Sequence, residues 1–142
     1  MARKSWKPSK ALIQKEREAA AKYSQEMDRK QREVLAGYPA EYPDEIIDAY
    51  RLMWNARDSL KQANWQYTIT EAGVKQWKSE NAVRNYKLYK AESDDFYSQY
   101  LDRKEAISNQ FGIHSDTVAE HVKAVYIVSE QVDDLYMKGA FK

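Results

Sequence analysis

Apolar residues recur along this chain at two different periods. Over residues 65–70 they alternate, with Trp65, Tyr67 and Ile69 set against Gln66, Thr68 and Thr70. A period of two is that of a half-buried strand. Elsewhere the spacing is three or four, as one face of a helix requires. Leu12, Ala19, Ala20, Tyr23, Met27 and Val34 mark a first helix over about 9–35. Ile46/Ile47, Tyr50, Met53/Trp54, Arg57 and Leu60 mark a second over about 44–64. Val83, Tyr86, Tyr89, Phe96, Tyr100 and Ile107 line a third over about 79–111. Val118, Val122, Val125, Ser129, Val132 and Tyr136 line a fourth over about 116–138. Taken alone, Val125-Tyr-Ile-Val128 reads as a strand, but the longer period and Gly139 as a stop favour helix. The pattern predicts a mainly α fold, a long-helix bundle with one short β-hairpin over about 65–78.

Breakers and caps divide the same elements. Ser9, after Pro8, is a fair cap for the first helix. Gly37-Tyr-Pro39-Ala-Glu-Tyr-Pro43 opposes helix and forms the first loop, after which Asp44 opens the second helix. Glu71-Ala72-Gly73 makes the hairpin turn, and Ser79 is positioned to cap the third helix. Phe111-Gly112-Ile113-His114-Ser115 breaks a long run without glycine or proline, and Thr117-Val-Ala-Glu120 reads as a capping box for the last helix. The organisation expected is a flexible basic arm over residues 1–8 and a single helical domain over 9–142.

Composition narrows the class. A chain of 142 residues can bury a core, and with 13% aromatic residues disorder is not expected. There is no cysteine, so no disulfide framework, thiolate metal site or thiol nucleophile arises. No apolar run reaches the roughly 18–20 residues of a membrane span, and no signal peptide is read, so a cytoplasmic protein without a membrane partner is expected. The net charge is only +1, but its distribution is uneven. Arg3, Lys4, Lys7, Lys10 and Lys15 stand at the head with no acid among them, a composition suited to phosphate contacts. From Leu101 onward seven acids face five bases.

Chemistry-bearing constellations are sparse. The four glycines fall at predicted breaks, which leaves no phosphate-cradling loop and no dinucleotide fingerprint. His114 and His121 stand seven apart, with His114 ahead of the expected cap, and favour surface roles over a shared metal. Asp94-Asp95 and Asp133-Asp134 are adjacent on helices, where neighbours point about 100° apart and diverge. No catalytic residue, metal or cofactor is therefore expected, and the chain does not read as an enzyme. Lys104–Lys123 does resemble a helix-turn-helix unit, with Ile107, Phe111, Ile113, Val118 and Val122 inward, Ser108 at the small position and Gly112 in the bend. A base reader would present Ser115, Ala119 and Lys123, yet Asp116 and Glu120 on the same surface oppose phosphates. A structural corner fits these residues better.

Three stretches in fixed order carry a resemblance. They are Asp44-Glu-Ile-Ile-Asp-Ala-Tyr50-Arg-Leu-Met-Trp54; Thr68-Ile-Thr-Glu-Ala-Gly73-Val-Lys75, followed by Asn81-Ala82-Val83; and Phe111-Gly112-Ile113-His114-Ser115. Together they resemble the small subunit of tailed-phage terminases, in the family without an obvious N-terminal reader domain. The chain lacks the family's proline before Ala82 and has His114-Ser115 where Thr-Pro is common. The resemblance implies a non-catalytic subunit in the host cytoplasm that assembles into a ring-shaped homo-oligomer. It also implies binding to viral double-stranded DNA and delivery of that DNA to the terminase large subunit, which holds the ATPase and nuclease. Eighteen aromatics, eleven of them tyrosine and four tryptophan, agree with assembly because both types anchor interfaces. Two alternatives from other classes are a helix-turn-helix transcriptional regulator and a helical interaction protein without nucleic acid.

Overall fold

The computed structural model describes residues 9–142. It contains α1 (Lys10–Glu33), α2 (Tyr42–Asn64), β1 (Tyr67–Ile69), β2 (Lys75–Trp77), α3 (Ala82–Phe111) and α4 (Ser115–Met137). The fold is mainly α with one antiparallel hairpin, as the two periods predict. The expected arm at residues 1–8 lies outside the described residues.

Ser9 caps α1 through its hydroxyl, which accepts from the Leu12 amide at 3.1 Å. α2 starts at Tyr42, two residues before the expected Asp44, because Pro43 sits in the first turn where a missing N–H costs nothing. Asp44 and Glu45 then place negative charge at the positive end of the helix dipole.

α2 and α3 form an antiparallel pair joined by the hairpin. The Ser93 hydroxyl donates to the Ala56 carbonyl at 2.7 Å, Ser59 donates to Glu92 at 3.2 Å, and Arg103 pairs with Glu45 at 3.0 Å. α4 packs across this pair at the end away from the hairpin. Tyr42, Ile46, Ile47 and Tyr50 of α2 meet Tyr100 and Ile107 of α3 and Val118, Val122 and Val125 of α4, with Leu35 closing the cluster. α1 runs antiparallel along the later part of α4. Gln31 donates to Ser129 at 2.9 Å inside this contact, and Tyr23 hydrogen-bonds Asp133 and packs on Tyr136 and Phe141.

Gly112 turns the chain between α3 and α4. It adopts φ 64° and ψ 31°, the left-handed region that suits a residue without Cβ. The amide of Ile113 returns to the Ser108 carbonyl at 3.2 Å, and the Ser108 hydroxyl donates to the Ile113 carbonyl at 2.6 Å. This closing motif leaves His114 extended, so α4 begins at once at Ser115. The expected capping box at Thr117–Glu120 is therefore inside the helix. The His114 imidazole Nδ1 is the true cap, accepting from the Asp116 amide at 3.1 Å.

Ser79 is likewise not the cap of α3. The Lys78 amide is still bonded to the Gln66 carbonyl at 3.0 Å, so residues 79–81 are needed to leave the ribbon, and the helix starts at Ala82 without a side-chain cap. The face assigned to the hairpin also changes. Trp65 ends α2 and is 63% exposed, Ile69 is 59% exposed, and Gln66 is buried. A lone two-stranded ribbon has little to pack against, and only Tyr67 of the three alternating apolar residues finds cover. Trp54, expected inside, is 45% exposed.

Candidate nucleic-acid interface

The hairpin end of the α2–α3 pair gathers an excess of basic side chains, several of them outside any ion pair among the described residues. β1 and β2 pair Tyr67 with Trp77, Thr68 with Gln76 and Ile69 with Lys75. The turn between them closes through the Gly73 amide to the Thr70 carbonyl at 2.8 Å, with Gly73 at φ 79°. That is the three-residue connection whose last position needs left-handed backbone. The Thr70 hydroxyl adds an acceptor for the Val74 amide at 3.1 Å.

Aromatic rings fix the ribbon to the first turns of α3. Tyr67, Trp77 and Tyr86 form a triangle with centroid separations of 5.5, 5.9 and 5.7 Å, each pair nearly edge to face. The Lys75 ammonium lies 4.7 Å from the Tyr67 ring and 5.4 Å from the Tyr86 ring, and that of Lys78 lies 4.1 Å from Trp65. Buried Gln66 ties the ribbon to both helices, donating to the Gln62 carbonyl at 3.2 Å and accepting from Asn85 at 3.4 Å.

Residues 61–90 hold six basic side chains, Lys61, Lys75, Lys78, Arg84, Lys87 and Lys90, against two acidic ones, Glu71 and Glu80, a local net charge of +4. Lys90 pairs with Asp94 at 2.7 Å, which raises its pKa. Lys61, Arg84 and Lys87 are exposed and make no ion pair among the described residues. Exposed cations without carboxylate partners can hold phosphates. In the sequence this cluster shows only as a running excess of basic residues over 61–90, interrupted by Glu71 and Glu80, whereas the head stands out as an acid-free run.

Of the head residues, Arg3, Lys4 and Lys7 lie outside the described residues. Lys10 and Lys15 are exposed on α1, which docks on α4 and α2 rather than on the hairpin. Among the corner residues, Ser115 and Ala119 are half-buried and Lys123 is exposed. Ala119 and Lys123 line a groove shared with α2 and α3, while Asp116 and Glu120 stand out on α4.

The two histidines have separate structural tasks. His121 Nε2 lies 3.1 Å from the Tyr38 hydroxyl and Nδ1 lies 2.5 Å from that of Tyr42. Burial lowers its pKa, with Glu120 acting weakly in the other direction, and pushes the Tyr42 hydroxyl up to about 12. The imidazole therefore joins the α1–α2 loop to α4 as a neutral group, one ring nitrogen donating and the other accepting. The adjacent carboxylates diverge: Asp94 pairs with Lys90, Asp95 accepts from Gln99, Asp133 from Tyr23, and Asp134 pairs with Lys138. Among the described residues no three or more histidine or carboxylate side chains are grouped to hold a metal ion. No protein-family model, curated protein or solved structure matches the chain.

Proposed function

We propose that this chain is the non-catalytic DNA-binding subunit of a phage packaging terminase. In this reading it forms a homo-oligomer, ring-shaped in the resembling family, and delivers viral double-stranded DNA to the large ATPase and nuclease subunit in the host cytoplasm. The observation that carries the reading is the basic hairpin end, where Lys61, Arg84 and Lys87 are exposed and make no ion pair among the described residues. The resemblance supports it further, because its three stretches fall on distinct elements in the same order. Asp44–Trp54 lies within α2, Thr68–Lys75 spans the hairpin, and Phe111–Ser115 makes the α3–α4 corner. No helix among the described residues is long and apolar enough to cross a membrane.

Molar mass by light scattering, with and without duplex DNA, tests the reading. The expected result is a closed assembly larger than a dimer that gains mass when DNA is added at low salt. A concentration-independent monomer would sink the assembly, and an unchanged mass with DNA would leave a helical interaction protein. A dimer bound to one sequence alone would select the transcriptional regulator, whose reader would be Ser115, Ala119 and Lys123.

A further inference from the structure

A groove of about 640 Å³ opens between α2, α3 and α4, with Lys90 in its lining and Lys61 in the depression beside it. Met53 and Leu60 of α2, Tyr97 of α3, and Ala119 and Ile127 of α4 give it apolar walls. Its floor is made by small buried residues, Ala56 and Ser93, and the Ser93 hydroxyl is committed to the Ala56 carbonyl at 2.7 Å. Nothing polar on that floor seeks a ligand.

The charge on the lining is one-sided. Lys90 and Asp94 cancel as an ion pair. Arg57 and Lys123 remain, neither in an ion pair among the described residues. The Arg57 guanidinium rests 4.8 Å from the ring centroid of Tyr126, which holds it on the α4 side of the groove. Of the α4 carboxylates, Glu130 accepts the Tyr126 hydroxyl at 2.5 Å, and Glu120 is exposed beside Ala119 but does not line the groove. An occupant must therefore bring apolar side chains for the trough and negative charge for the α4 rim.

Large apolar side chains of the groove are also open to solvent. Leu60, Tyr97 and Ile127 are each more than a third exposed, and Trp54, 45% exposed, stands in a neighbouring depression whose other lining residues are Arg57, Asp58, Lys61 and Tyr126. Contiguous exposed apolar surface of this kind marks a protein-binding site rather than a closed ligand pocket. Each helix offers about two turns to the groove, so its walls match the i, i+3, i+7 anchors of a docked helix. The chain's own head does not suit the site, because Arg3, Lys4 and Lys7 would meet Arg57 and Lys123 with like charge.

We infer that the α2–α3–α4 groove docks an acidic amphipathic helix of a partner protein, its apolar stripe against Met53, Leu60 and Ile127 and its carboxylates against Arg57 and Lys123. The probe is a synthetic helix of roughly 16 residues, long enough to hold helical structure, with leucines at i, i+3, i+4 and i+7 flanked by glutamates. A second peptide carries lysine at each glutamate. Affinity is read by fluorescence anisotropy on the full chain without DNA, and position by the methyl resonances of Met53, Leu60 and Ile127.

The expected result is that the acidic peptide binds and shifts those methyls, while the lysine peptide binds at least about tenfold more weakly. Ala119→Trp, which fills the groove, should abolish binding. The exposed pair Arg57→Glu and Lys123→Glu should reverse the preference even if the groove-filling variant fails to fold. Equal binding of both peptides, or binding without those methyl shifts, overturns the inference. Two other outcomes also overturn it by naming a different occupant. One is dodecanoate shifting the methyls when the acidic peptide does not. The other is Ala119→Trp lowering the oligomer mass in a protein that ignores both peptides.

Discussion

Gln31 and Ser129 meet inside the α1–α4 contact, both buried, with a hydrogen bond of 2.9 Å. Ser129 also donates to the Val125 carbonyl at 2.6 Å, so its hydroxyl both donates and accepts. Ser129→Ala leaves the Gln31 amide buried with one partner fewer. It should cost about 1–3 kcal/mol in urea unfolding, and combining it with Gln31→Leu should recover part of the loss. In the sequence Ser129 is visible as a polar step in an otherwise apolar stripe, but its partner is 98 residues away and no local pattern points to it. His121 is a similar case, since its hold on Tyr38 and Tyr42 exists only after α4 folds back on the first loop. Burial keeps its pKa below the ordinary 6.5, so the unfolded chain takes up this proton first as pH falls. Stability rises with pH wherever the unfolded state binds more protons. The contribution of neutral His121 is therefore complete above pH 6.5 and is lost as pH falls from there through the folded value. Urea midpoints of the natural chain and of His121→Gln should converge on acidification over that window. Parallel midpoints would show that the imidazole is not held neutral.

Element boundaries separate what local chemistry dictates from what the neighbouring element decides. Ser9 caps α1 as its position predicts, so Ser9→Ala should cost about 1 kcal/mol. Ser79 has the same chemistry but lies in the exit from the ribbon, so Ser79→Ala should change stability by less than about 0.5 kcal/mol. Comparing the two melting curves checks both statements together. Gly112 was legible as a break and is one in fact, with φ 64° and no atom within 4 Å of where a Cβ would stand. Gly112→Ala should therefore cost only the backbone term, about 1–2 kcal/mol, and Gly112→Asn less. A much larger loss would mean that the corner packs more tightly than its open surroundings indicate. The displaced caps at Ser79 and Thr117 share one cause. Each residue stands ahead of an apolar run, as a cap would, whereas the hairpin ladder and the Gly112 turn set where each helix can begin.

At the scale of the molecule, the order and type of elements were legible because the two periods do not overlap. Which surfaces would gather was not. Lys61 lies 23 residues from Arg84 in the sequence, and they share one end of the fold because α2 and α3 run antiparallel through the hairpin. Two positive regions now compete as the site of phosphate contact: this end, and the head with Arg3, Lys4 and Lys7. Salt dependence can apportion them, since each phosphate neutralised contributes about 0.9 to the slope of log affinity against log salt. Lys61, Arg84 and Lys87 are the cleanest positions to change, because they are exposed and make no ion pair among the described residues. Lys75 and Lys78 are poorer choices, because they rest on aromatic rings that hold the ribbon. Replacing Lys61, Arg84 and Lys87 by glutamine should flatten the slope by up to about 3 units with helicity unchanged. Deleting residues 1–8, which removes Arg3, Lys4 and Lys7, should flatten it further, and the two losses should add if the regions bind separate phosphates. Substitutions at Ser115 and Ala119 should leave the slope as it was. A slope indifferent to the glutamine triple, together with loss of binding to a single sequence on changing Ser115 or Ala119, would move recognition to the α3–α4 corner and make the chain a regulator.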